Sequence, residues 1–111
     1  MKYKNYLMTI NRNGRKEFIL ARGHALEDDP TLAVVKPWSE EWNKKFSIID
    51  IASGLGVISS SSKKELLKRY EERKEEFAKR IPSARLTSTY KTHCFELETE
   101  MNVWRISGYE F

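Results

Sequence analysis

Residues 46–81 decide the fold, and they read FSIIDIASGLGVISSSSKKELLKRYEERKEEFAKRI. Residues 46–51 are apolar on both faces near their middle, which is typical of a covered internal strand. Gly54 and Gly56 follow, and glycine readily takes the positive φ that a tight reversal requires. Residues 57–58 are again apolar and begin a return strand. The pattern therefore predicts a strand, a turn and an antiparallel partner strand.

The charged half of this stretch predicts a helix. Ser62 and Glu65 have the spacing of a capping box, in which each side chain bonds to the other's backbone amide. Pro82 is expected to end the helix, because proline lacks the amide hydrogen that the helix ladder needs. The apolar side chains fall within a sector of about 120° at 100° per residue, and they are Leu66, Leu67, Tyr70, Phe77, Ala78 and Ile81. We expect one long amphipathic α-helix over about residues 62–81 that packs across a sheet.

Residues 3–21 predict a β-hairpin. Asn13-Gly14 is the strongest short signal for a two-residue turn, and it places Arg12 opposite Arg15 and Asn11 opposite Lys16. Gly23 and Pro30 then indicate a loop over 22–31. We interpret Glu27, Asp28 and Asp29 within this loop as a solvated acidic cluster, since the spacing lacks a calcium-loop pattern.

Leu32 to Lys36 is a further strand candidate. After Pro37 the sequence predicts a short helical turn near 38–43, with Ser39 as its cap. Trp38 and Trp42 would lie on one side of that turn. They either cover the core or anchor a partner, because tryptophan is favoured at binding hot spots.

The region 92–106 supports two interpretations. His93, Phe95 and Leu97 alternate with polar residues, as in a strand. A helix is the alternative, on the spacing of Cys94, Leu97, Met101 and Trp104. We choose strands, with a terminal hairpin through 99–102, because the approach is rich in threonine. The fold class is then α+β, an antiparallel sheet packed against one long helix.

Size and composition indicate one domain over residues 1–111. The net charge of +4 and the pI near 9.2 are mild, and they permit an anionic partner without requiring one. A single cysteine excludes an internal disulfide framework and fits a reducing compartment. No apolar run approaches the roughly 20 residues that span a bilayer, and no secretory signal is visible. We expect a cytoplasmic protein without a membrane partner.

No stretch carries a recognisable catalytic, cofactor or metal motif. Cys94 and His93 are neighbours, and on a strand neighbours point to opposite faces. Asp50 interrupts an apolar run, and a buried carboxylate needs a partner, so we expect it to face solvent or to bond to the turn. We expect no cofactor, no metal and no enzymatic activity, and a small enzyme with an unrecognised site is kept as an alternative.

Basic side chains are the main candidates for binding a partner. Three lie at the predicted hairpin tip, and three lie on one flank of the predicted helix. They are Arg12, Arg15 and Lys16 at the tip, and Arg69, Arg73 and Arg80 on the flank. Guanidinium groups bind carboxylate or phosphate in a bidentate fork. The alternative is that the flank only stabilises the helix, because Glu65–Arg69 and Glu76–Arg80 are favourable i,i+4 pairs.

In its small size, high charge, compact α+β pattern and lack of a catalytic motif, the chain resembles accessory proteins of phages, plasmids and other mobile genetic elements. This group includes inhibitors of bacterial defence nucleases, such as anti-CRISPR proteins. The resemblance concerns general character over the whole chain, and no family motif carries a residue across. It implies a non-enzymatic binding protein that docks on a protein or a protein–nucleic acid complex. Direct binding of nucleic acid through the same basic residues is the alternative, and neither a monomer nor a dimer is favoured.

Overall fold

The computed structural model describes residues 2–39 and 45–111. Within these ranges the chain forms five strands and three helices: β1 (Lys4–Arg12), β2 (Arg15–Ala25), β3 (Leu32–Pro37), β4 (Phe46–Asp50), β5 (Gly56–Ser60), α1 (Lys63–Glu72), α2 (Lys74–Arg85) and α3 (Ser88–Ile106). The strands make one sheet in chain order, and every neighbouring pair is antiparallel. The predicted α+β class is confirmed.

The first hairpin forms as its turn residues predict. Asn13 and Gly14 both have positive φ, at 52° and 79°. Arg12 pairs with Arg15 and Asn11 pairs with Lys16 across the strands. The turn chemistry alone therefore fixes the register of this hairpin.

β2 is longer than predicted, and this corrects the loop over 22–31. The strand continues to Ala25 and pairs with β3. A Cβ built on Gly23 would lie 1.9 Å from the carbonyl oxygen of Val34, so glycine here permits a close approach of two backbones. The loop is thereby limited to the residues between Leu26 and Leu32, which are joined by a 2.9 Å backbone hydrogen bond.

Both faces of the sheet carry a buried apolar cluster. Residues of β3 and β4 pack with α1 and α2 in the first cluster, which contains Leu26, Leu32, Val34, Ile48, Leu66, Tyr70 and Phe77. Alternate positions on the same strands supply the second cluster, which contains Tyr6, Met8, Ala21, Ala33, Val35 and Ile49. The first strand also approaches the turn after β4. The amide of Thr9 on β1 donates to the carbonyl of Gly54 in that turn, at 2.9 Å.

The predicted long helix over 62–81 is divided into α1 and α2. Ser62 caps α1 as expected, and its hydroxyl accepts from the Glu65 amide at 3.3 Å. Arg73 interrupts the helix, with φ −108° and ψ 14°. Seven residues of continuous α-helix span about 10.5 Å, whereas the rings of Tyr70 and Phe77 stack with centroids 5.8 Å apart. The break at Arg73 therefore lets the rings of Tyr70 and Phe77 come closer together than they would on one continuous helix.

Pro82 does not end the helix, and this prediction was wrong. It lies inside α2, which continues to Arg85. The proline removes one ladder hydrogen bond. Beyond it, Arg85 contacts the buried carboxylate of Asp50 at 2.7 Å, and this tertiary contact offsets the local loss.

The C-terminal region is α3, so the predicted strands and hairpin over 92–106 were wrong and the helical alternative is correct. Thr87 caps the helix by accepting from the Tyr90 amide at 3.1 Å. The hydroxyls of Thr92 and Thr99 donate to backbone carbonyls one turn earlier. The threonines that favoured strands are thus accommodated inside a helix of 19 residues.

The predicted short helical turn near 38–43 falls largely outside the described residues. Trp38 and Ser39 form a bend after β3. The Trp38 amide donates to the carbonyl of Leu20 at 2.9 Å. Trp42 lies outside the described residues.

Candidate binding surfaces

Of the three basic residues at the hairpin tip, the structure brings Lys16 into contact with α3. Arg12 and Arg15 face each other across the turn, and Arg12 forms an ion pair with Glu17 at 3.6 Å. Lys16 forms an ion pair at 2.6 Å with Glu96, which lies on α3. The tip is therefore tied to the C-terminal helix, a connection between residues 80 positions apart in the chain.

The three arginines predicted along one helix flank are exposed, and each has a glutamate partner. Arg69 bonds to Glu65 at 3.2 Å, and Arg80 bonds to Glu76 at 2.7 Å. Arg73 forms a bidentate pair with Glu76, with both contacts at 3.0 Å. Hydrogen bonds from Arg73 and Arg80 lower the pKa of Glu76 to about 2. The helix-stabilising pairs considered as the alternative are confirmed, and much of the positive charge on this flank is balanced.

Trp38 is 55% exposed, so this tryptophan does not cover the core. Its exposure leaves the prediction that it anchors a partner standing. Trp42, its predicted companion, lies outside the described residues.

A buried carboxylate joins three parts of the fold. Asp50, 6% exposed, accepts two hydrogen bonds on Oδ1 from Arg85, at 3.1 and 2.7 Å. Its Oδ2 accepts from the Ser53 amide at 3.1 Å, the Ser53 hydroxyl at 2.7 Å and the Tyr90 hydroxyl at 2.7 Å. We call these four residues the Asp50 clamp, and they connect the turn after β4, the end of α2 and the start of α3.

The electrostatics of the Asp50 clamp indicate a structural role. Burial raises the pKa of Asp50, but hydrogen bonds from Ser53, Tyr90 and Arg85 outweigh burial, and the net pKa lies below its ordinary value. Burial and the bond to Asp50 raise the pKa of Tyr90. A general base needs a free lone pair and a pKa near the working pH, and Asp50 offers neither. Of the two alternatives predicted for Asp50, exposure to solvent or a bond to the turn, the bond to the turn is confirmed.

A cleft of about 210 Å³ lies beside the Asp50 clamp. Its walls include Leu55, Val57, Phe77 and Ile81, and the guanidinium group of Arg80 stands among its lining residues. Because Arg80 and the clamp arginine are both bonded to carboxylates, the cleft presents a balanced set of charges. Its volume is below the range of about 300–1,000 Å³ that is typical of small-molecule sites.

The outer face of α3 carries exposed apolar side chains that the sequence interpretation did not include. Phe95, Val103 and Ile106 are 74%, 54% and 88% exposed. With Thr92 and Thr99 they fall within a sector of about 80° at 100° per residue. We call these five residues the α3 stripe, and none of them is charged.

The charges that border the α3 stripe are paired within the molecule. Glu98 and Arg105 form an ion pair at 3.0 Å on one rim. Glu96 on the other rim is the partner of Lys16. Sequence reasoning missed the stripe because it assigned strands here, although the spacing 95, 99, 103, 106 was visible and is typical of one helix face.

Metal and membrane chemistry are not indicated by the part of the chain that the structure describes. No three His, Cys, Asp or Glu side chains there are grouped so as to hold a metal ion. Cys94 is a half-buried free thiol. None of the helices among these residues combines the length and the apolar character that crossing a bilayer requires.

Comparisons of the chain with protein-family models, with curated proteins and with solved structures found no match.

Proposed function

We propose that this protein is a small, non-enzymatic binding protein that docks on a macromolecular partner, either a protein or a protein–nucleic acid complex. The observation that carries the proposal is the α3 stripe. Single exposed apolar side chains are ordinary, but three aligned on one helix face form a contiguous patch, and such patches mark interaction sites. Phe95 and Ile106, at 74% and 88% exposed, are its largest apolar members.

The energetics support docking that also uses contacts outside the stripe. Burying one large aliphatic or aromatic side chain contributes about 1.5–3 kcal/mol, so three of them contribute roughly 4–9 kcal/mol in total. Association itself costs an amount of similar size in lost freedom of motion. A tight complex therefore needs further contacts. The basic residues predicted from the sequence are the candidates for these contacts.

Among partner classes, we propose a bacterial defence nuclease or its complex, with this protein acting as its inhibitor. The proposal rests on the general character of the chain, namely its small size, its high charge and a buried carboxylate that is engaged in structure. Direct nucleic-acid binding is less well supported, because the arginine flank is largely balanced by Glu65 and Glu76.

Affinity capture from a bacterial lysate, with and without added nuclease, tests the proposal. The baits are the wild type, Phe95→Asp and Arg69→Glu. We expect the wild type and Arg69→Glu to retain the same protein after nuclease treatment, and Phe95→Asp to lose it. Both substituted side chains are exposed, so circular dichroism should report an unchanged fold for each variant.

The proposal fails if the wild-type bait retains no macromolecule beyond those that also bind an unrelated control bait. Retention of nucleic acid alone, with an affinity that falls steeply as salt rises, would instead assign direct nucleic-acid binding.

A further inference from the structure

We infer that a cavity between β2 and α1 binds a small organic amine, one that carries a hydroxyl group at the other end of an apolar body. The cavity has a volume of about 620 Å³, which is within the range of about 300–1,000 Å³ typical of small-molecule sites. Its walls come from the end of β2, the loop that follows and α1, and we call it the His24 cavity. The inference goes beyond the proposed docking function and does not depend on it.

His24 projects from the sheet toward α1. It pairs with Val34 across β2 and β3, and Val34 belongs to the buried cluster that contains Leu66 and Tyr70 of α1. Residues directly opposite each other on antiparallel strands project to the same face of the sheet. The His24 side chain therefore lies on the helix-covered face, where it lines the cavity and is only 6% exposed.

The His24 ring has an acceptor atom that the described part of the chain leaves unused. Its Nδ1 lies 3.0 Å from the backbone carbonyl oxygen of Ala25. Because a carbonyl oxygen can only accept, Nδ1 carries the hydrogen, and in the neutral ring Nε2 is then an acceptor. Nε2 is buried and has no hydrogen-bond partner among the described residues. A buried acceptor without a donor is unfavourable, so a ligand that donates a hydrogen bond to Nε2 is stabilised.

Tyr3 adjoins His24 near the surface. The two rings meet edge-on with their centroids 5.3 Å apart, and Tyr3 is 49% exposed. The Tyr3 hydroxyl accepts from Lys63 at 3.0 Å in an exposed contact. Because Nε2 of His24 has almost no surface in contact with solvent, we expect a ligand to reach it by displacing the exposed Tyr3 ring.

Carboxylates dominate the charged lining of the His24 cavity. Glu27, Asp28 and Glu71 line it, together with the basic side chain of Lys2. Lys74 pairs with both Asp28 and Glu71, whereas Glu27 has no ion pair or hydrogen bond with another described side chain. The unpaired carboxylate favours a cationic ligand. An organic cation fits better than a metal ion, because no three potential metal ligands are grouped within residues 2–39 and 45–111.

The remaining walls of the cavity are apolar and define the body of the ligand. They include Leu26, Leu67 and Tyr70. Such walls favour an apolar body with polar groups only at its two ends. In an arylalkylamine with a ring hydroxyl, the ring would pack against Leu26 and Leu67, the hydroxyl would donate to Nε2 of His24, and the ammonium group would lie near Glu27. Tyramine is the simplest probe with this chemistry.

NMR titration of the purified, nitrogen-15-labelled full-length protein with tyramine tests the inference. Phenethylamine, which lacks the hydroxyl, and 4-hydroxyphenylacetate, which carries a carboxylate in place of the amine, are the comparison probes. We expect tyramine to shift the amide signals of residues 24–28 and 67–71. Tyramine should bind about 10-fold more tightly than phenethylamine, because only tyramine donates to the buried acceptor. We expect no binding of 4-hydroxyphenylacetate.

Three variants separate the contributions to binding. Glu27→Gln should weaken tyramine binding by about 2–5-fold, because it removes the unpaired negative charge at an exposed position. Glu72→Gln is the matched control, since Glu72 is exposed on α1 but does not line the cavity, and it should bind tyramine as the wild type does. His24→Phe keeps a ring but removes the acceptor, so tyramine and phenethylamine should bind alike. If His24→Phe does not fold, the comparison of the two amines on the wild type still tests the acceptor.

The following results would overturn the inference. Equal binding of tyramine and phenethylamine by the wild type would show that Nε2 of His24 receives no hydrogen bond from the ligand. Binding of 4-hydroxyphenylacetate as tight as that of tyramine would contradict the preference for a cation. Signal shifts confined to other parts of the molecule, or no shifts at millimolar tyramine, would show that the cavity is not a binding site. Because the titration contains no partner macromolecule, such a result leaves the proposed docking function untouched, and a failed capture experiment likewise leaves the cavity untouched.

Discussion

Replacing Asp50 by asparagine tests the role assigned to the Asp50 clamp. The carboxylate accepts five hydrogen bonds, two from Arg85, two from Ser53 and one from Tyr90. Asparagine has the same shape but only one oxygen. If that oxygen faces Arg85, the new amide group confronts the backbone N–H of Ser53, and two donors then meet. If the side chain is reversed, the amide group confronts the guanidinium group instead.

The magnitude follows from these two conflicts. A buried donor left without an acceptor costs about 1–3 kcal/mol. Removing one partner of a fully buried ion pair costs about 3–5 kcal/mol, but the Arg85 side chain is 28% exposed and water compensates part of this loss. We therefore expect Asp50→Asn to lower the free energy of unfolding by about 2–4 kcal/mol. With a urea m-value of about 1–1.5 kcal/mol/M, the unfolding midpoint falls by roughly 1.3–4 M.

Urea unfolding followed by far-UV circular dichroism measures this shift. Glu98→Gln is the matched control, because it makes the same chemical change in an exposed ion pair with side chains 61% and 41% exposed. Such pairs contribute at most about 1 kcal/mol. If Asp50→Asn shifts the midpoint no more than Glu98→Gln does, the clamp does not stabilise the fold and the reasoning is refuted.

Three further predictions concern pH and backbone geometry. The folded pKa of Asp50 lies below its ordinary value of 3.8, so its contribution is present above about pH 4 and is lost as the pH falls through the folded pKa. The difference in unfolding free energy between the wild type and Asp50→Asn should accordingly shrink as urea titrations move from neutral pH into acid, and a constant difference would contradict the assignment. Gly23→Ala should lower the unfolding free energy by more than about 3 kcal/mol or prevent folding, because its Cβ would meet the Val34 backbone at 1.9 Å. Gly56→Ala is the control, since a Cβ there meets nothing within 4 Å, and it should change the urea midpoint little. Equal effects of the two substitutions would contradict the prediction. Pro82→Ala should raise the free energy of unfolding by about 1–3 kcal/mol, because it restores a helix hydrogen bond inside α2 at a small cost in chain entropy. An unchanged or lower thermal midpoint would show that this hydrogen bond does not stabilise the protein.

Local chemistry in the sequence was sufficient for the first hairpin, the β4 strand, the Ser62 cap and the α+β class. Each depends on residues a few positions apart. Asn13-Gly14 supplies the two positive φ angles of the turn, and the Ser62 hydroxyl meets an amide three residues later. Such contacts form wherever the chain places these residues together, so a pattern in the sequence is enough to predict them.

The candidate binding surfaces were predictable only in part. The hairpin tip was identified with its residues and register, because like charges facing each other across a turn are visible in the sequence. The α3 stripe was missed. Alternation at His93, Phe95 and Leu97 also fits a strand, and β-branched threonines favour one. A helix satisfies the same threonines by bonding Thr92 and Thr99 to backbone carbonyls.

Only the tertiary structure decided the remaining features, because each depends on groups far apart in the chain. Gly23 belongs to a strand because the Val34 backbone approaches it too closely for any side chain. α2 continues past Pro82 to Arg85, which bonds to a carboxylate 35 positions earlier. The free energy of these long-range contacts exceeds the local preferences for a loop and for a helix end, and local preferences are all that a single sequence displays.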